Sequence, residues 1–237
     1  MIDFEECKIK PQKIVRLYLI MGGIMNQYKK TFYKNQAESI IKKMQLRGMD
    51  AFYAHTKEEA NKIAMELIGH GVKKIGYGGS MTIDELGLKQ KVVEAGHNLI
   101  NREEMGKTPE GTQECNALLI NADTFLMSSN AITLDGELVN IDKRGNRVCF
   151  LIYGPKQVIV IAGMNKICAS EEDAVRRVRN CATPPNAVRL NQTTPCATYG
   201  RCCNCVNNSL CANIVVTRTS ATPKRIKVIL VGEELGY

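Results

Sequence analysis

The chain has 237 residues, of which 44% are hydrophobic and 24% are charged, and this composition is typical of one globular domain rather than of a disordered or fibrous protein. Its formal net charge of +8 favours an anionic partner, although the basic residues are spread along the chain. Because only 5% of the residues are aromatic and none is Trp, few side chains can stack on bases, and a nucleic-acid partner is disfavoured.

A short apolar run, Leu17–Met21, follows several basic residues near the start of the chain. The run is too short to span a bilayer, and no small-residue cleavage site follows it. We therefore predict no membrane span. We interpret residues 1–24 as an extension that is not native, translated from an upstream start codon, and residues 25–237 as one α/β domain. Ten cysteines without an export signal favour a cytoplasmic location, with reduced thiols or metal ligands.

Predicted helices and strands alternate along the rest of the chain. Apolar residues follow helical spacing over residues 37–44, residues 51–54 resemble a short strand, and a capping box at Thr56 predicts a helix through Ile68. The further predictions are helices beginning at Thr82, Thr108 and Glu171, and strands at 73–77, 124–127, 158–161, 214–216 and 227–230. Such alternation predicts an α/β fold with a mostly parallel sheet, helices on both faces and ligands at the carboxyl ends of the strands.

A glycine-rich turn, Gly76–Thr82, joins a predicted strand to a predicted helix. Glycines let the backbone approach a ligand closely, and the N–H groups at the start of a helix favour an anion. The residues predicted to bind a phosphate, carboxylate or CoA-like ligand here are Gly78, Gly79, Ser80 and Thr82. The turn lacks the Lys of a P-loop and the full dinucleotide-binding spacing, so neither ATP nor NAD is indicated. A tight turn with Thr82 as an ordinary helix cap explains the same residues equally well.

A polar stretch over residues 128–147 follows the apolar strand predicted at 124–127. Its candidates for general acid–base catalysis are Asp135, Glu137 and Asp142. Its candidates for ligand binding are Ser129, Asn130, Asn140, Asn146 and Arg147. The alternative is that the Asp-Gly and Arg-Gly pairs in this stretch only form turns.

Several motifs occur together in this sequence: GGSMT, SSNAITLDGELVNID, GNRV, YGP, GMNK and TPC-x5-C-x2-C. Over about Met25 to Tyr237 the chain resembles the lactate-utilisation protein family defined by the LUD domain. The resemblance implies a fold like that of ribose-5-phosphate isomerase, glucosamine-phosphate deaminase and the CoA transferases. It also implies a role as a subunit or accessory factor in the oxidation of L-lactate or another 2-hydroxyacid, together with iron–sulfur oxidoreductase subunits.

One position departs from the pattern of the related sugar-phosphate isomerases, which carry an acidic residue just after the central strand. The chain resembles them there but has Asn130. Because an amide cannot transfer a proton as a carboxylate does, aldose–ketose isomerisation is disfavoured. A stand-alone enzyme acting on a sugar phosphate or an acyl-CoA remains an alternative function, and the sequence leaves open whether the chain is an enzyme.

Residues 184–211 form a cysteine-rich stretch that we predict to be an irregular lobe within the α/β domain, with five cysteines between Cys196 and Cys211. Soft thiolate ligands suit Zn²⁺ or an iron–sulfur cluster. The predicted metal ligands are Cys196, Cys202, Cys205 and Cys211. The alternatives are unligated buried thiols or a redox pair of Cys202 and Cys205. A metal-dependent interaction module or redox sensor is therefore a third class of function.

Overall fold

The computed structural model describes residues 26–237, so the prediction of an extension over residues 1–24 lies outside the described residues. The helices are α1 (Gln27–Leu46), α2 (Lys57–Ile68), α3 (Met81–Glu85), α4 (Leu88–Glu94), α5 (Arg102–Met105), α6 (Pro109–Ile120), α7 (Val148–Ile152), α8 (Glu171–Arg177), α9 (Thr183–Arg189) and α10 (Pro195–Tyr199). A 3₁₀ turn spans Met164–Lys166, and a π-helical turn spans Val178–Ala182. The strands are β1 (Asp50–Ala54), β2 (Lys74–Tyr77), β3 (Asn98–Leu99), β4 (Thr124–Met127), β5 (Ala131–Thr133), β6 (Leu138–Asp142), β7 (Gln157–Gly163), β8 (Ile167–Cys168), β9 (Asn213–Thr217) and β10 (Ile226–Val231).

Six strands form the large sheet, in the order β1-β10-β7-β4-β2-β3, and every neighbouring pair is parallel. Alternate side chains of β7 enter different cores: Val158 and Val160 pack with α1 on one face, whereas Ile159 and Ile161 pack with α2 on the other. Both faces are thus covered, which explains why the central strands are continuously apolar. The predicted α/β fold with a mostly parallel sheet and helices on both faces is confirmed.

The helix starts predicted at Thr56 and Thr108 are confirmed. Thr56 and Thr108 cap α2 and α6 by accepting hydrogen bonds from backbone N–H groups three residues later. The prediction that a helix begins at Thr82 is wrong by two residues, because Ser80 is the N-cap of α3 and accepts from the Ile83 N–H at 3.4 Å. Thr82 lies inside the helix and is buried, so its hydroxyl is available for a different contact.

A second sheet of four strands, in the order β8-β5-β6-β9, was not predicted as a sheet. β6 is antiparallel to both β5 and β9, whereas β5 and β8 are parallel. The strand predicted at residues 214–216 exists as β9, but it belongs to this sheet rather than to the parallel one. Leu138 packs into the core that contains α1, while Val139 and Ile141 pack against α8 and the π-helical turn. The second sheet is therefore a further layer of the same domain.

The helical path that begins at Glu171 continues through the π-helical turn into α9 and ends at Arg189. Pro184 and Pro185 stand in the first turn of α9, where proline is tolerated. The predicted irregular lobe over residues 184–211 thus contains most of α9 and all of α10, joined and followed by turns. Within residues 26–237, the helices are too short or too polar to cross a membrane.

Candidate functional site

A cavity of about 240 Å³ lies at the carboxyl ends of β2, β4 and β7. Gly79 enters it from the loop after β2, Asn130 from the segment after β4, and Lys166 from the 3₁₀ turn after β7. The connection over residues 141–147 and one side of α9 complete the wall. Because the carboxyl ends of parallel strands meet at one edge of a sheet, these three loops converge. The loops after β2 and β4 were predicted to meet there, whereas the turn after β7 was not.

The wall of this cavity is strongly positive. Its cationic side chains are Arg102, Lys143, Arg147, Lys166 and Arg189. Among the described lining residues, Asp142 carries the one side-chain carboxylate. A concave surface with this imbalance attracts anions and holds them more strongly than an exposed surface does.

Lys166 is the functional candidate that the site prediction missed. Its side chain is 3% exposed, and its Nζ donates hydrogen bonds to Thr82 Oγ1 at 2.9 Å and to Ser128 Oγ at 3.1 Å. The pKa of the Lys166 amine is lowered to about 7, mainly by burial and also by the nearby positive charges of Arg177 and Arg147, while Glu85 opposes these effects. The signal in the sequence was a lysine three residues after a long buried strand, inside the GMNK motif.

Arg147 holds the polar loops together rather than facing the cavity with free donors. Its Nη1 donates to Ser128 O at 2.9 Å and to Asn140 Oδ1 at 3.0 Å. Its Nη2 donates to Asn130 Oδ1 at 2.6 Å and to Ile141 O at 2.9 Å. These bonds connect the end of β4 with β6, so the Arg147 guanidinium is engaged by the side-chain oxygens of Asn130 and Asn140 and by two backbone carbonyls.

Asp142 lines the cavity, but its carboxylate also has a structural role. Its Oδ2 accepts from the backbone N–H groups of Arg147 at 3.1 Å and Val148 at 3.3 Å, at the start of α7. The Nε of Arg147 lies 3.7 Å from the same oxygen. Burial lowers the pKa of the Arg147 guanidinium, and the charge of Asp142 opposes that shift.

The other two acid–base candidates, Asp135 and Glu137, lie outside the cavity. Asp135 is exposed and pairs with Lys43 at 3.6 Å. Glu137 pairs with Arg47 at 3.3 Å and with Arg218 at 3.5 Å. Their partners are Lys43 in α1, Arg47 just after α1 and Arg218 just after β9, so these ion pairs join the end of α1 to the second sheet.

Most of the predicted ligand-binding residues do line the cavity: Gly79, Ser80, Thr82, Ser129, Asn130, Asn146 and Arg147. Two do not: Gly78 lines an adjoining cavity instead, and Asn140 is fully buried. The Gly78 N–H donates to Leu126 O at 2.9 Å, and a Cβ at Gly78 would lie 2.9 Å from Arg147 Cγ. Glycine is therefore needed at residue 78 because the Arg147 side chain passes so close to the backbone.

A second cavity of about 270 Å³ adjoins the first, and the two share Arg102, Asn146 and Arg147. Part of the wall of the second cavity is apolar, because the aromatic rings of Phe125 and Phe150 line it. Arg147 and Arg102 thus stand between a polar chamber and a partly aromatic chamber.

The cysteines in the described part of the chain are free thiols. Cys196 is buried, and its Sγ lies 3.2 Å from Thr194 Oγ1. Burial raises the pKa of the Cys211 thiol, and the nearby Cys202 and Cys196 add to the shift. Within residues 26–237, however, no three His, Cys, Asp or Glu side chains are grouped so that they could hold a metal ion. The residues as placed do not fit a metal centre, and the metal-binding quartet stays a prediction.

Comparisons with known proteins bear on the family and the fold. A family model for the LUD domain matches residues 37–231. Among solved structures, the chain is similar to a DUF162 family protein from Deinococcus radiodurans, with 15% sequence identity and a TM-score of 0.50. The similarity covers 85% of this chain and 98% of that chain, and at such low identity it shows a shared fold. A comparison with curated protein sequences gave no match.

Proposed function

This chain belongs to the LUD domain family, and on that premise we propose that it binds a small anionic ligand in the cavity around Lys166 and takes part in the oxidation of L-lactate or another 2-hydroxyacid. In this role the chain is a subunit or accessory factor that works with iron–sulfur oxidoreductase subunits. The part that concerns lactate rests on the resemblance to lactate-utilisation proteins, and the part that concerns the anion rests on the geometry of the cavity.

The single observation that carries the anion-binding proposal is the Lys166 amine at the wall of a positively charged cavity. Its two hydrogen-bond acceptors are neutral hydroxyls, at 2.9 and 3.1 Å. A buried ammonium without a carboxylate partner is costly, and an anion bound beside it would offset that cost. The amine therefore favours a negatively charged ligand more strongly than an exposed lysine would.

The size of the cavity favours a small ligand. At about 240 Å³ it lies below the usual range for pockets that enclose drug-sized molecules, which begins at about 300 Å³. A hydroxy acid or a phosphate ion fits such a volume, whereas a CoA-like ligand would have to extend into the adjoining cavity past Arg147. A sugar-phosphate isomerase is also less well supported, because the Asn130 side chain is an amide engaged by Arg147.

Thermal-shift measurements with L-lactate, pyruvate and inorganic phosphate test the anion-binding proposal. We expect at least one of these anions to raise the melting temperature of the protein, since a ligand that binds only the native state stabilises it. The rise should be much smaller in Lys166→Met. The matched control is Lys156→Met, because Lys156 is exposed at the opposite end of the sheet and pairs with Asp123.

Failure of all three anions to stabilise the wild-type protein would remove the anion-binding proposal. The proposed role in lactate oxidation needs a separate test in cells. We expect deletion of the gene to impair growth on L-lactate, and we expect the purified protein to associate with an iron–sulfur oxidoreductase subunit. Normal growth on lactate together with no redox partner would contradict that role.

A further inference from the structure

Resting on the proposed function, we propose that Lys166 is a nucleophile whose Nζ forms a reversible imine with the carbonyl carbon of a 2-oxo acid bound in the cavity. The proposal adds a covalent step to a site so far described only as a place for an anion. It also narrows the ligand class to small carboxylic acids that carry a ketone or aldehyde next to the carboxylate.

The first argument is the position of the amine. Lys166 Nζ lies between two hydroxyls from different parts of the chain, Thr82 Oγ1 in α3 and Ser128 Oγ just after β4. All three residues line the same cavity, so the amine and both hydroxyls belong to one part of its wall. The Thr82 hydroxyl is itself oriented by Leu235 O at 3.4 Å. An amine fixed in this way loses little conformational freedom when it attacks a bound carbonyl.

The second argument is electrostatic. Burial and the guanidinium groups of Arg177 and Arg147 disfavour the charged form of the Lys166 amine, and Glu85 favours it. With a pKa of about 7, the amine is about half neutral at pH 7, whereas an ordinary lysine of pKa 10.5 is neutral in about one molecule in three thousand. Only the neutral amine has the lone pair that attacks a carbonyl carbon, and desolvation beside other cations is a known way to produce it.

The third argument is the surrounding charge. Arg102 and Arg189 line the same cavity and supply positive charge for the carboxylate of the ligand. This arrangement holds the anionic end of a 2-oxo acid while its carbonyl carbon meets Nζ. A carbonyl compound without a carboxylate gains nothing from these guanidinium groups, so the site favours oxo acids over neutral ketones.

The chemistry is a condensation without any oxidation or reduction. The Nζ lone pair bonds to the carbonyl carbon, and one N–H proton passes to the carbonyl oxygen to give a neutral carbinolamine. The second N–H proton then passes to that oxygen, the C–O bond breaks and water leaves, and the nitrogen lone pair forms the C=N double bond of the imine. The hydroxyls of Ser128 and Thr82 lie within hydrogen-bond distance of Nζ and relay the protons. Addition of water reverses the reaction.

Reductive trapping tests this proposal on the full chain. The protein is incubated at neutral pH with pyruvate and sodium cyanoborohydride, which reduces an imine to a stable secondary amine. We expect the Lys166 peptide to gain the mass of pyruvic acid less one oxygen atom, and to do so at least about tenfold faster than any other lysine peptide. L-Lactate is the matched control, because it has the same carboxylate but no carbonyl group.

Lys166→Arg keeps a positive charge and cannot form the imine, so it should lose the adduct, whereas Lys156→Arg should retain it. If Lys166→Arg does not fold, peptide mapping of the wild-type protein decides alone. Stabilisation by L-lactate or pyruvate without an adduct at Lys166 would overturn the imine and leave the anion-binding proposal standing. Equal labelling of exposed lysines would also overturn it. If no anion stabilises the protein and no adduct forms, both proposals fail together.

Discussion

A positive charge on the buried Lys166 amine lowers the stability of the folded protein. Because its pKa falls to about 7 in the fold from 10.5 in an ordinary lysine, the unfolded chain binds more protons than the native protein between these two values. The loss of unfolding free energy that burial of the Lys166 charge causes is therefore present in full below about pH 7, and it disappears as the pH rises toward about 10.5.

We expect the free energy of unfolding of Lys166→Met to exceed that of the wild type most clearly below pH 7, and the difference to shrink as the pH rises. The slope of this difference should approach about 1.4 kcal/mol per pH unit within the window, reduced by any relaxation of the site. Urea denaturation across the pH range measures it, with Lys156→Met as the control. A difference that does not change with pH would show that the Lys166 amine titrates normally.

Arg147 is the residue on which the polar loops depend. A lysine at this position keeps the charge but cannot reach acceptors on both sides with a planar fork. We expect Arg147→Lys to lower the free energy of unfolding by about 3 kcal/mol, since it removes four hydrogen bonds and leaves buried acceptors such as Ser128 O without their arginine donor. Chemical denaturation compares it with Arg144→Lys, an exposed neighbour expected to change stability by less than about 0.5 kcal/mol. Equal losses in both variants would contradict the role given to Arg147.

At the scale of single elements, the loop after β2 depends on close packing against that arginine. The methyl group of Gly78→Ala would lie 2.9 Å from Arg147 Cγ, whereas that of Gly79→Ala meets only the flexible end of Arg102, at 3.3 Å. We expect Gly78→Ala to cost about 1–3 kcal/mol of unfolding free energy and Gly79→Ala considerably less. Melting temperatures of the two variants measure this difference, and a larger loss in Gly79→Ala would contradict it.

The elements that the sequence predicts well are those with a strong local pattern. β4 and β7 are continuous apolar runs, and Thr56 and Thr108 have the spacing of helix caps. The second sheet escaped prediction because β5 has only three residues and β6 carries Asn140 in its middle. That asparagine is fully buried, and Arg147 donates to its Oδ1, a contact between residues that no periodicity reveals.

The candidate site was predicted in outline but not in its chemistry. Placing polar loops at the carboxyl ends of parallel strands correctly brought Gly79 and Asn130 to one cavity. The sequence did not identify Lys166 as a site residue, because one lysine after a strand has the same local pattern whether it is exposed or buried. The sequence gives no reason to distinguish Asp135 and Glu137 from Asp142. Their ion pairs with Lys43 and Arg47, at the end of α1, place them away from the site, and such tertiary contacts leave no local pattern.

The cysteine-rich stretch is an element whose chemistry stays a prediction. Its thiols stand near one another without forming a group that could hold a metal ion among the described residues. Anaerobic purification followed by metal and sulfide analysis tests the quartet of Cys196, Cys202, Cys205 and Cys211. Folded protein without metal would eliminate that hypothesis.

For the whole molecule, the positive cavity predicts how anion binding responds to conditions. Sulfate is a suitable probe because its charge is constant near neutral pH. We expect its affinity to fall roughly tenfold between about pH 6.5 and pH 8.5, as the Lys166 ammonium loses its proton, and to fall with added salt. Isothermal titration measures the affinity, and the pH dependence should vanish in Lys166→Met. A pH dependence that persists in that variant would assign it to another group.

The 3₁₀ turn at Met164–Lys166 joins β7 of the large sheet to β8 of the second sheet, and residues 128–130 make a second short connection, from β4 to β5. Lys166 therefore lies where the two sheets are joined, and its hydrogen bonds to Thr82 and Ser128 depend on how the two sheets are aligned. A ¹⁵N signal from the Lys166 side chain would act as a gauge of that alignment, even when the change that moves the layers lies far from any bound molecule.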